Sequence, residues 1–177
     1  MVKNANQRVG VFVDVQNMYY SARHLYNSKV NFSNILKNVV GGRPVIRALA
    51  YVIRASFPEE QFFFDALQHA GFEVKSKDIQ IFPGGAKKGD WDVGIAMDII
   101  RMAPKLDVII LVSGDGDFVD LVDYLQNHGH RVEVAAFGRS TSSKLTAEAD
   151  EFIDLDKGTD EYLLKPRVRS RVRTTSQ

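Results

Sequence analysis

Apolar and polar positions along this chain fall into blocks whose period switches between that of a strand and that of a helix. Val9–Val15 (VGVFVDV) is almost continuously apolar and rich in β-branched residues, which predicts a strand buried on both faces. Asn17–Val40 carries a helical pattern in two pieces, broken near Asn27–Ser28. Pro44–Ile53 predicts a second strand, and the segment from Pro58 to Gly71 opens on proline and acids and closes on glycine, the start and stop signals of a helix. Phe72–Phe82 alternates as a third, more exposed strand. A glycine loop (FPGGAKKG, 82–89) then leads into a helix from Trp91 to Ala103, ended by Pro104. Asp107–Gly114 (DVIILVSG) predicts a fourth, buried strand, and Phe118, Leu121, Val122 and Leu125 form one helical stripe that stops at Gly129. His130–Gly138, Ser142–Ala149 and Glu151–Leu155 predict a fifth strand, a short helix and a last extended piece.

Strands alternating with helices imply a three-layer α/β/α domain, with a central, mainly parallel sheet of five or six strands. In such sheets ligands sit beyond the carboxyl ends of the strands, where the strand order reverses. Asp14 ends the first strand, and Asp115 and Asp117 follow the fourth in the turn LVSGDGDF. If the two strands are neighbours at the reversal, these acids share one crevice. At an effective dielectric of ~20, carboxylates ~4 Å apart repel by roughly 4 kcal/mol.

The helix at Trp91 adds a third acid. At ~100° per residue from Trp91, Asp92 falls near 100°, inside an apolar arc of about 40–240°, whereas Asp98 falls near 340°. Asp92 is thus expected to face the core or a cleft, Asp98 to face solvent, and Asp90 to sit at the helix N-cap. A pocket of Asp14, Asp92 and Asp115 must be neutralised by protonation, basic side chains or a cation. Carboxylates without cysteine suit Mg²⁺ or Mn²⁺. Asp117 has two readings, as the cap of the helix that starts at Phe118 or as a further metal contact.

Charge changes the picture at one end. The chain has 23 basic and 22 acidic residues, yet from Lys157 onward there are 6 basic and 2 acidic, so residues 1–156 read as a mildly acidic domain and 157–177 as a flexible basic tail. Such a tail suits nucleic acid or serves only solubility. Cysteine is absent, which excludes disulfides and thiolate metal sites. There is no N-terminal apolar signal and no apolar run of membrane-spanning length, so a cytoplasmic protein with no membrane partner is expected.

Four segments, FVDVQNMYY, KKGDWDVGIAMDI, VSGDGDF and SSKLTAEADEFIDL, occur in the order and setting of NYN-domain proteins, and the chain most resembles their LabA-like branch, whose fold is similar to PIN-domain nucleases. The resemblance covers Arg8 to Leu155. It matches Asp14 and Asn17, Asp92 behind Lys88 and Gly89, and Ser113, Gly114, Asp115, Asp117 and Phe118. The extra acid in KGDWD departs from the family pattern and leaves Asp90 a rival to Asp92, with Asp92 favoured because pattern and helical wheel select it together. The resemblance implies metal-dependent hydrolysis of RNA phosphodiesters, in which Asp14, Asp92, Asp115 and Asp117 would be catalytic and hold Mg²⁺ or Mn²⁺.

On the same resemblance, Asn17, Ser113 and Lys88 would contact substrate phosphate or the water around the metal. For Asn17 a helix-cap role, and for Lys88 a solvated loop position, stand beside that reading. Single-stranded RNA is the expected partner. Tyr19 and Tyr20 could stack on bases or enter the core, and the surplus phenylalanine of Phe62–Phe64 could serve a homodimer contact.

Two other functions compete. A non-catalytic RNA-binding or regulatory protein would retain the same acidic pocket. A phosphatase of the haloacid dehalogenase type would also use a strand-end aspartate, but its D-x-D motif fails here because Gln16 follows Asp14 two residues on. None of the four histidines has zinc-ligand spacing, and no nucleotide-binding glycine fingerprint is present.

Overall fold

In a computed structural model of the chain, which describes residues 4–54, 60–81, 87–88 and 90–164, the most apolar segments occupy the middle of the sheet. β1 (Val9–Asp14) is buried along its whole length and leads into α1 (Val15–Tyr26), β2 (Lys29–Val30) and α2 (Phe32–Val40). β3 (Val45–Arg54), α3 (Glu60–His69) and β4 (Glu73–Asp78) come next. A small antiparallel pair, β5 (Gln80–Ile81) and β6 (Lys87–Lys88), precedes α4 (Asp92–Met102). Then come β7 (Val108–Val112), α5 (Val119–Asn127), β8 (Arg131–Ala136), α6 (Ser143–Glu148) and β9 (Glu151–Asp154). α7 (Thr159–Tyr162) and β10 (Leu163–Leu164) end the described chain.

Six strands form one parallel sheet in the order β4-β3-β1-β7-β8-β9. The chain builds outward from β1 to one edge and then returns to build outward from β7 to the other. The order therefore reverses between β1 and β7, as the alternation of strands and helices predicts for a doubly wound sheet. Successive side chains of a strand point to opposite faces. Val11 and Val13 accordingly pack with Met18, Ile35 and Leu67 of α1, α2 and α3, while Phe12 packs with Ile95, Ile99 and Val122 of α4 and α5. β4 and β9 at the edges are only partly covered, which matches their alternating, charge-bearing sequences.

The break expected at Asn27–Ser28 is a left-handed Asn27 (φ 47°) that closes α1. A buried ion pair pins the entry to β3, where Arg43 reaches both carboxylate oxygens of Glu133 on β8 at 2.9 and 2.8 Å. The chain does not leave the fold at 156. Asn31 N–H donates to the Tyr162 carbonyl at 2.7 Å, and β10 pairs antiparallel with β2. Two-residue strands carry no periodicity, so nothing in the apolar pattern announced this return. The basic residues from Lys165 onward, and the glycine loop at 82–86 and 89, lie outside the described residues. No helix among the described residues is long and apolar enough to cross a membrane.

Candidate metal centre

Asp14 closes β1 and caps α1. Its Oδ1 accepts the Asn17 N–H at 3.0 Å, and its Oδ2 accepts the Ser113 hydroxyl at 3.3 Å. Burial pushes its carboxyl above the ordinary range, against the hydrogen bonds from Asn17 and Ser113. Across the reversal, Ser113 is fully buried at the tip of β7, and its Oγ also accepts the Asp115 N–H at 3.2 Å. Asn17 Oδ1 accepts the Gly114 N–H at 3.0 Å. Asn17 and Ser113 therefore lace the β1–α1 turn to the loop after β7. Gly114 lets the two loops approach closely, since a Cβ there would stand 2.9 Å from the Thr141 Oγ1 and 3.1 Å from its Cα, and the loop after β8 would have to give way.

Asp115 Oδ1 accepts the Asp117 N–H at 3.1 Å, so Asp115 caps the short 3-10 turn Gly116–Phe118. Phe118 precedes α5 with no side-chain cap. The capping role open to Asp117 in the sequence thus falls to Asp115, and the Asp117 carboxylate is left exposed beside its neighbours. Asp92, Asp115 and Asp117 each offer an oxygen, and these three oxygens lie within 4.8 Å of one another. Asp14 is outside that set, although its charge reaches Asp92.

Asp92 opens α4 and is half-buried. Its carboxyl is pushed up to about 6, by burial first and then by Asp14, Asp115, Asp90 and Asp117. Every one of those influences disfavours the charged form. Among the described residues no lysine or arginine forms an ion pair with Asp92, Asp115 or Asp117. Oxygens around a six-coordinate Mg²⁺ lie about 3.0–4.2 Å apart, from its ~2.1 Å bond length. A cluster already within 4.8 Å reaches that spacing by small side-chain rotations, and an all-oxygen, uncompensated donor set fits a hard divalent cation.

Two expectations on α4 are corrected. Trp91, not Asp90, is the N-cap residue, and it has no side-chain cap bond. Asp98 does not face solvent: its Oδ2 accepts the Tyr51 hydroxyl at 2.9 Å and Lys75 Nζ at 2.6 Å. The helical wheel knows only the helix's own residues, whereas Tyr51 and Lys75 approach from β3 and β4. A tyrosine in mid-strand was the available signal, since its buried hydroxyl needs a partner. Trp91 also holds a place that its own segment does not announce. Its indole N–H donates to the Val52 carbonyl at 2.9 Å, and Lys77 Nζ lies 4.1 Å from its ring centroid. The side chain of Lys88 lies outside the described structure.

An acidic cluster at the reversal point of a doubly wound parallel sheet defines a PIN-like α/β protein with a candidate divalent-cation site. The sequence model of the NYN domain matches residues 8–156. The chain is 25% identical over 158 residues to the "Low amplitude and bright protein LabA" of Synechococcus elongatus, with 84% of each chain covered. A crystal structure of a protein of unknown function from Vibrio parahaemolyticus has the same fold, with a TM-score of 0.83 and 38% identity, covering 93% of this chain and 100% of that one. The chain belongs to the NYN domain family, in its LabA-like branch. α7 and β10 extend its fold past the matched residues.

Proposed function

We propose that the protein is a metal-dependent ribonuclease that hydrolyses phosphodiester bonds of single-stranded RNA. The observation that carries this reading is the set of Asp92, Asp115 and Asp117 oxygens within 4.8 Å, with no ion pair to offset them among the described residues. Membership of a family of PIN-like nucleases supports it. Bound Mg²⁺ or Mn²⁺ would supply Lewis-acid polarisation of the phosphoryl oxygen and a water of lowered pKa.

The chain's own groups have separate tasks. Asp92, Asp115 and Asp117 are the ligands, with Asp14 lending charge from behind. Asp117, the most exposed of them, is assigned to orient an attacking water. Asn17 and Ser113 act by positioning, since both hold Asp14 and the loop of Asp115 in place. Lys88 is assigned to a substrate phosphate.

Purified protein is incubated with labelled single-stranded RNA and Mn²⁺, beside an Asp92→Asn, Asp115→Asn variant. Wild type is expected to cut at least about a hundredfold faster than the variant, and chelation to stop it. Equal cutting by both, or RNA bound but never cut, removes the nuclease reading. Turnover of a small phosphomonoester in its place would redirect it to phosphatase chemistry.

A further inference from the structure

On the face of the sheet covered by α1, α2 and α3 lies a groove of about 770 Å³ that the proposed reaction does not use. Val15, Tyr19 and Tyr20 of α1, Val52 of β3, Phe63 of α3 and Leu164 of β10 are among the residues that line it. Its volume falls in the roughly 300–1,000 Å³ range of sites that enclose small organic molecules. Resting on the ribonuclease reading, we infer that this groove binds nucleobases of the single-stranded RNA whose backbone crosses the acidic cluster.

Three observations support that occupant. First, the groove begins next to the acids in the chain: Val15 and Gln16 line it and directly follow Asp14, whose Oδ2 accepts the Ser113 hydroxyl two residues before Asp115. Val52 and Ile53, which also line it, lie near the end of β3, the parallel neighbour of β1. Second, Tyr19 and Tyr20 keep 45% and 60% of their surface exposed, with ring centroids 5.5 Å apart in an edge-on arrangement. Two adjacent, solvent-facing rings offer flat platforms for bases of any sequence. Third, the charged residues among its described lining are Lys29 and Glu60, and the sequence beyond Leu164 continues as KPRVRSRVR. An apolar slot, in a chain whose sequence continues past the lining Leu164 with five cations, suits a polymer with flat apolar bases and an anionic backbone better than it suits an apolar protein helix.

The test measures binding of a fluorescein-labelled single-stranded RNA by anisotropy, using full-length protein carrying Asp92→Asn so that the probe survives. Adding Tyr19→Ala and Tyr20→Ala is expected to raise Kd about tenfold or more, with an unchanged salt slope. Tyr19→Phe and Tyr20→Phe should keep the parent Kd, because the rings remain. An abasic strand of equal length should bind the parent and the alanine variant alike. Equal Kd for the normal strand in parent and alanine variant overturns the groove. So does an alanine variant that turns a dimer into a monomer at unchanged RNA affinity, which would make the groove a contact between copies. Tyrosine-dependent affinity in a wild type that never cuts RNA keeps the groove and removes the nuclease reading, and cutting with tyrosine-independent affinity does the reverse.

Discussion

Asp92 carries a cost that its replacement should expose. Its folded carboxyl titrates near 6, above the ordinary 3.8, so between about pH 4 and pH 6 the folded chain holds a proton that the unfolded chain releases. Stability from this residue is therefore fully present below pH 4, falls as pH rises through 6, and stays low above it. In metal-free protein, Asp92→Asn should raise stability at pH 8 by about 1 kcal/mol after discounting for solvent screening. For a chain of this length that is a Tm gain of about 2–4 °C, vanishing at pH 4. Mn²⁺ should reverse the order, raising the Tm of wild type and leaving the variant where it was. A variant less stable at pH 8, and equally raised by Mn²⁺, would mean that Asp92 does not sit among uncompensated like charges.

α4 brings that aspartate to the cluster, and its first turn is held from outside the helix. Gly94 leaves the room in which the Trp91 ring lies, since a Cβ there would come within 2.6 Å of the ring. Helix propensity alone would favour Gly94→Ala by about 1 kcal/mol. The ring, however, is fixed by its bond to the Val52 carbonyl and its edge contact with Tyr51, so it cannot swing aside cheaply. Overpacking of about 1–3 kcal/mol should win, and the displaced turn should weaken Mn²⁺ binding. Urea unfolding and Mn²⁺ titration check this, and a stabilised variant with unaltered titration would contradict it. Here the sequence is legible in part. The placement of Asp92 follows from its own helix's apolar stripe and that of Asp14 and Asp115 from strand ends, because both depend on local periodicity. The burial of Asp98 and the seat of Trp91 depend on groups brought from β3 and β4, and the choice of Asp115 over Asp117 as cap depends on the backbone of one short turn; periodicity holds no record of either.

Charge is divided between the folded body and the C-terminal segment. Residues 1–164 hold 18 basic and 22 acidic residues, whereas Lys165, Arg167, Arg169, Arg171 and Arg173 come after them with no acid among residues 165–177. A net-negative body repels a polyanion at long range, so attraction to RNA must come from local contacts or from those five cations. Each cation that meets a phosphate of a single strand releases about 0.7 of a counterion. Removing residues 165–177 should therefore flatten the slope of log K against log salt by up to about 3.5 and weaken RNA binding most at low salt. The fold should be spared, because the cut leaves Leu163 and Leu164 paired with Val30 and Lys29. Anisotropy titrations across salt, with thermal unfolding alongside, measure both effects. A slope unchanged by the truncation would leave the cations out of RNA binding, and a lowered Tm would show that they support the β2–β10 pairing instead.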